Sequence, residues 1–314
     1  MPALRLVQGT DAWRIGRREY ITGTDIAVLL GISPYRCEAD LADEKRGLVD
    51  GVAETLRMRI GKALEDTIVA EWERESGERA QRYRAMVVHP AITWAAASPD
   101  ARVVGRRCLL ELKWSGSRSR FADGLPQDIE AQVQWQLGVT GYPEAEVVAL
   151  TPDELLRFRV TFDQELFGHL VAVATDFRRR LETGGPFARD GERVRRDHPS
   201  DDGSEIEADA DTAEACRALL EVRASIKRAE ETEKRLMTAI QARMGDAATM
   251  TGFGFRATWK RSKDREETDW KAVAARLIAP LPETDRDAVV REFTSVRTGM
   301  RPFRLVADSK ETQE

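Results

Sequence analysis

Two periodicities divide the chain. Over residues 55–76, Leu56, Ile60, Leu64, Ile68 and Trp72 recur at four-residue steps and Gly77 follows, which predicts a long amphipathic helix. A shorter helix is expected over 24–31, with Thr22 or Thr24 as its cap and Gly31 as its stop. From residue 85 the period shortens. Segments 85–89, 92–97, 101–104 and 108–112 are apolar and are broken by Pro90, Pro99 and Gly105, so they predict strands of a mostly antiparallel sheet. Pro126 opens a helix running to Leu137, strands are expected at 145–150 and 155–161, and a helix over 163–181. Helix, meander, helix, paired strands and helix together predict an α+β core on one sheet.

Residues 184–204 have turn and linker composition, so they are expected to separate a core at 1–183 from a C-terminal extension at 205–314. The extension opens with a predicted helix over 205–244. Its apolar residues Ala215, Leu219, Val222, Ile226, Ala229, Leu236 and Ile240 recur at threes and fours. A lone helix cannot bury such a stripe, so it must pair with another helix or with the core. A hairpin over 248–259 bending at Gly252 and Gly254, a short helix at 268–278 and a strand-like segment at 303–306 complete the extension.

Composition narrows the chemistry. The 314 residues include 33% charged side chains, above the roughly 25% of an average domain, so much of the chain is solvated surface or exposed helix. No apolar run approaches the ~20 residues of a membrane span, and the first residues lack a signal-peptide core, so a cytoplasmic protein without membrane partners is expected. Cys37, Cys108 and Cys216 are far apart and form no CxxC pair, and the three histidines form no HExxH. The remaining candidates are carboxylates, Lys, Ser and Thr. The net charge of −5 argues against a polyanionic partner, but residues 201–214 hold seven acidic side chains and no basic one, leaving +2 for the rest. Basic clusters at 14–18, 102–107, 118–120, 178–180 and 260–263 make local fields that net charge conceals.

Four triplets have an acid-x-Lys pattern: 43–45, 111–113, 269–271 and 308–310. In so charged a chain each alone is expected at the surface. Only Glu111-Leu112-Lys113 ends an apolar strand, which should bring its charges to a cleft at the sheet edge, and alternation puts Glu111 and Lys113 on one face. Eleven residues upstream lies Ser98-Pro99-Asp100. A turn at Gly105 would pair the two strands and set Asp100 near Glu111. Two carboxylates and a lysine on one face suit a metal-dependent phosphodiesterase, because Mg²⁺ takes oxygen ligands and is usually held by one or two carboxylates plus substrate phosphate. The alternative is an ordinary cross-strand salt bridge. Two helices add to the cluster. Gly61 precedes Glu65 by four residues, leaving a bare patch beside a carboxylate unless another helix packs there. Gln132 and Gln136 share one face, where amides could hold a water or a phosphate oxygen.

The ordered set of an arginine before Ile21-Thr22-Gly23-Thr24-Asp25-Ile26-Ala27, then Gly61-x-x-x-Glu65, Ser98-Pro99-Asp100, Glu111-Leu112-Lys113 and Ala131-Gln132-Val133-Gln134 resembles the YqaJ-like viral recombinase family, relatives of phage lambda exonuclease, over residues 10–182. A weaker likeness continues into the extension. The resemblance implies a PD-(D/E)xK, restriction-endonuclease-like core: a mixed central sheet flanked by helices, with a long helix in the C-terminal extension. It implies Glu65, Asp100, Glu111 and the Leu112 carbonyl as metal ligands, Lys113 as the catalytic lysine and Gln132 as the active-site glutamine. Glu65, Asp100, Glu111, Lys113 and Gln132 would thus be catalytic. Arg17, with Arg18 as the neighbouring alternative, and Thr24, where serine is more usual, match positions that hold the substrate's 5′-phosphate. The implied function is a Mg²⁺-dependent exonuclease, with Mn²⁺ able to substitute, acting 5′→3′ on linear double-stranded DNA ends and leaving 3′ tails for a single-strand annealing protein. A homo-oligomer, as a ring trimer, is also implied. The rival readings are an endonuclease of the same fold, of restriction or repair type, and a catalytically inactive DNA-end-binding scaffold.

Overall fold

A computed structural model describes residues 3–7, 15–50, 54–83, 85–296 and 302–305. The chain divides at His198/Pro199 into two compact units.

The first unit is built on a five-stranded mixed sheet. In chain order its strands are β2 (Ala80–Arg82), β5 (Ala101–Val103), β6 (Cys108–Trp114), β7 (Glu144–Leu150) and β8 (Leu155–Thr161), and neighbours follow that same order across the sheet. Only β6 and β7 run parallel; all other pairs are antiparallel. A parallel pair needs a crossover, and helix α4 (Gln127–Thr140) supplies it. A separate antiparallel sheet holds β1 (Ala3–Val7), β3 (Ala85–Val88) and β4 (Ala96–Ala97). The meander expected as one sheet is therefore split between two. Pro90 and Pro99 mark its breaks, because proline cannot donate to a ladder.

Strand β6 is covered on both faces, and its first residues Cys108, Leu109 and Leu110 are apolar on both. Its even positions Cys108, Leu110 and Leu112 pack with Ile68 and Trp72 of helix α3 (Leu56–Ser76). Leu109, on the other face, packs with Ile129, Val133 and Leu137 of α4. Only the C-terminal half of the α3 stripe is buried: Ile68 and Trp72 are covered, whereas Leu56 is 63% exposed. Against α4 also lie α1 (Gly23–Leu29) and α5 (Gln164–Thr183), through a cluster that includes Ile26, Trp135, Phe167 and Phe177. Thr22 is the cap of α1, its backbone N–H donating to Asp25 Oδ2 at 2.9 Å.

Two helices of this unit escape the apolar pattern, α2 (Glu38–Lys45) and α6 (Gly191–Asp197). Leu41 and Ala42 anchor α2 in the core, whereas α6 buries no residue and is fastened to α2 by charge. Arg193 of α6 binds Asp40 at 3.1 Å and Asp43 at 2.7 Å, and Ala188 N–H donates to Glu38 at 2.8 Å. Residues 186–197, expected as linker, are thus fastened to α2.

The second unit contains α7 (Ala210–Met244), the hairpin β9 (Thr249–Gly252) and β10 (Phe255–Thr258), α8 (Trp270–Ile278) and α9 (Glu283–Glu292). Helix α7 starts at 210 rather than 205, where Asp209 accepts from Thr212 N–H, and ends at Gly245 with φ 53°. Residues 302–305 form no strand, and 306 lies outside the described residues. Among the described residues no helix is long and apolar enough to cross a membrane.

Candidate active site

The β5–β6 hairpin turns at Gly105, whose φ of 82° suits glycine, and its register sets Ala101 against Leu110. Asp100 and Glu111 therefore face each other one step further along. The Leu112 N–H donates to Asp100 Oδ2 at 2.8 Å. Lys113 Nζ donates to Glu111 Oε1 at 2.5 Å and to Gln132 Oε1 at 3.1 Å. Gln132 Nε2 reaches Glu111 Oε1 at 2.6 Å, and Gln136 Nε2 reaches Oε2 at 2.8 Å. Both glutamines project from α4 onto the odd-numbered face of β6. Since β6 is the middle strand of five, the cluster lies over the sheet centre rather than at its edge.

Glu111 is 2% exposed, yet three donors meet its two oxygens, so its charge is stabilised where water is excluded. Asp100 is different. Enclosure and, next, the negative charge of Glu111 raise its carboxyl well above the usual carboxylate range. Burial opposes the charge on Lys113, but Glu111 and Asp100 outweigh it and hold the ammonium above its ordinary value.

Glu65 is not brought into hydrogen-bonding contact with this group. It sits on α3, which covers the opposite face of the sheet, and its carboxylate pairs with Arg82 of β2. Its charge still contributes to the raised affinity of Asp100 for a proton. Among the described residues, no three His, Cys, Asp or Glu side chains form a ready-made metal cage. The donor set nevertheless fits a hard divalent cation. Asp100 and Glu111 are two carboxylates forced together, a cation relieves their repulsion, and Mg²⁺ usually needs no more than two protein carboxylates. Ser98 Oγ, buried two residues before Asp100, has no protein partner among the described residues.

Arg17 and Thr24 do come together. Arg17 Nη2 donates to Thr24 Oγ1 and to Thr22 Oγ1, both at 3.1 Å. Arg18 is directed elsewhere, to Asp50 at 2.9 Å. Behind Arg17 lies a group that apolar periodicity does not reveal. The fully buried Asp25 carboxylate accepts from Lys45 at 2.8 Å and Arg36 at 2.9 Å, with Arg17 at 3.6 Å. Burial pushes the Asp25 carboxyl up, but Lys45, Arg17 and Arg36 together hold it well below the usual carboxylate range. Lys45 Nζ also donates to Tyr20 O at 2.6 Å and Arg17 O at 3.2 Å. The Asp43-Glu44-Lys45 triplet, expected at the surface, is therefore structural. Its one sequence signal is that Glu44 and Lys45 fall next to the buried Leu41 and Ala42 on a helix.

The two groups are linked through Gly23. A Cβ there would stand 2.8 Å from Gln132 O and 2.9 Å from Gln132 Cγ, so only glycine allows α1 this close to Gln132. Gly61 is open, with nothing within 4 Å of a Cβ, so no neighbouring helix explains it.

Residues 12–143 match the model of the YqaJ-like viral recombinase domain. The chain is 25% identical to the YqaJ protein of Bacillus subtilis over 307 residues, covering 93% of each. Among solved structures, the alkaline exonuclease of Laribacter hongkongensis in complex with dAMP superposes with a TM-score of 0.49 and 22% identity over 60% of this chain and 97% of that one. A putative exonuclease from Eubacterium rectale gives 0.47 and 12%, over 65% and 97%.

Proposed function

Residues 12–143 constitute a YqaJ-like viral recombinase domain, and from that premise we propose that the protein is a divalent-metal-dependent exonuclease acting on linear double-stranded DNA. The observation that carries this reading is the convergence of Asp100, Glu111, Lys113, Gln132 and Gln136 over the centre of the sheet. An ordinary cross-strand salt bridge needs neither glutamine nor a second carboxylate. Asp100, Glu111 and the Leu112 carbonyl would hold Mg²⁺ or Mn²⁺, with Glu65 entering once Arg82 is displaced. The bound ion would lower the pKa of a water and neutralise phosphate charge. Lys113, kept protonated by its two carboxylate neighbours, adds positive charge at the scissile phosphate. Gln132 holds Lys113 and Glu111 in one geometry.

The preferred end follows from the second group. Arg17, with the Thr24 hydroxyl, forms a donor set for a terminal 5′-phosphate, since charge-assisted contacts to phosphate are the strong ones. That placement supports degradation 5′→3′ and release of a 3′ tail to a strand-annealing partner. The test is digestion of end-labelled linear and closed circular duplexes. The linear duplex is expected to be digested from 5′-phosphorylated ends with Mg²⁺ or Mn²⁺, activity should vanish on chelation, and the circle should survive. Cleavage of the circle would make the protein an endonuclease, and binding without cleavage a scaffold. Arg17→Ala should abolish most of the preference for a 5′-phosphate over a 5′-hydroxyl end. Equal native rates on both ends would remove the phosphate subsite while leaving the nuclease.

A further inference from the structure

Helix α7 is 35 residues long and carries an apolar stripe that stands in solvent: Val222 is 54% exposed, Ile226 52%, Leu236 52% and Ile240 45%. The stripe has a stricter period than an ordinary amphipathic helix. Ala215, Leu219, Val222, Ile226, Ala229, Glu233, Leu236 and Ile240 alternate four- and three-residue steps without interruption, which is the seam of a two-stranded coiled coil. Leu219, Ile226, Glu233 and Ile240 take the first core position of each heptad. Ala215, Val222, Ala229 and Leu236 take the second.

We propose that α7 pairs with the α7 of a second copy of this chain as an antiparallel two-stranded coiled coil. Polar and charged positions select both occupant and direction. In a parallel pair Glu233 would face Glu233 inside the seam, and like charges there are strongly disfavoured. In the antiparallel pair the layers become Ala215 with Ile240, Leu219 with Leu236, Val222 with Glu233 and Ile226 with Ala229. Small residues then meet large ones, and each glutamate meets valine instead of its own copy. The flanks agree. The antiparallel register brings Arg223 beside Glu230 of the opposite helix, twice by symmetry, while the other flank holds only Ala218, Ser225, Thr232 and Ala239. Arg223 is already held on this flank, its Nη1 donating to Leu305 O at 3.2 Å and its guanidinium 5.9 Å from the Phe303 ring centre. A seam that matches its own reverse calls for no foreign partner.

The full-length chain tests this. Ile226→Asp with Leu236→Asp should halve the mass measured by light scattering, whatever further association the first unit makes, while far-UV circular dichroism and DNA cleavage persist. Arg223→Glu and Glu230→Arg should each weaken association by about tenfold, and the double exchange should restore it, because the pairs are regenerated across the seam. Loss of the Arg223–Leu305 contact alone gives no such rescue. A spin label on Cys216, in a Cys37→Ser background, should report a separation near ~35 Å, the rise of 23 helical residues. A mass that does not change on the double Asp substitution would assign the stripe to this chain's own segments or to another protein, and would overturn the proposal. So would a short Cys216–Cys216 distance or the absence of charge-exchange rescue.

Discussion

Lys45 and Lys113 show how one triplet pattern serves two ends. Lys113 touches a carboxylate and an amide beside Asp100, so Asp100→Ala, Glu111→Ala and Lys113→Ala should each lower DNA hydrolysis by about 10³-fold or more without lowering the melting temperature by an equivalent amount. Lys45 is only 2% exposed at its side chain and binds Asp25 and two backbone carbonyls, so Lys45→Ala should instead cost about 3–5 kcal/mol by leaving a buried carboxylate underpaired. Urea denaturation separates the two outcomes. The same cluster sets an acid limit. Because the folded-state pKa of Asp25 is depressed, its contribution to stability is complete above the usual carboxylate range and is lost as pH falls below it. The urea midpoint of the native protein should therefore fall steeply below about pH 4. Asp25→Asn should start lower at pH 7 and show a flatter decline. A parallel decline in both proteins would deny Asp25 this role.

At the scale of elements, the apolar period predicted α1, α3, α4, α5, β6, β7 and β8 within a few residues, because each buries a stripe or a face. It missed α2, too short for its buried Leu41 and Ala42 to show a period, and α6, which is fastened to α2 by ion pairs of Arg193 with Asp40 and Asp43 that have no period. It also assigned one sheet where two form, since short apolar runs record burial but not which neighbour they pair with. At the site, the Asp100–Glu111–Lys113 placement was legible from alternation and a tight turn. The separation of Glu65 was not, because only the fold reveals that α3 covers the other face of β6. The contact between α1 and α4 was equally hidden, and it yields a paired test. Gly23→Ala inserts a methyl against Gln132 and should lower the cleavage rate by about tenfold to a hundredfold by shifting that side chain. Gly61→Ala meets nothing within 4 Å and should stabilise α3 by up to about 1 kcal/mol. If Gly61→Ala also weakens DNA binding, the open patch receives the substrate backbone.

For the whole molecule, the division at His198 predicts where the chain can be cut. A fragment 1–198 keeps α6 clasped to α2 and should melt cooperatively. A fragment 1–183 loses those ion pairs and should melt several degrees lower by calorimetry, with Lys45 and Asp25 nearer to exposure. The parallel pairing of β6 with β7 bears on how the protein is born. The Asp100–Glu111 hairpin is local, but Gln132 and Gln136 reach Glu111 only after the α4 crossover has closed, and Gln136 lies 25 residues further along. At ~5–20 residues per second of synthesis, the carboxylate pair is translated more than a second before the amides that complete its cluster. A nascent chain on the ribosome thus carries its acidic pair before the amides that complete the cluster, and, on the proposed nuclease reading, a stalled translation product ending before α4 should be harmless to DNA.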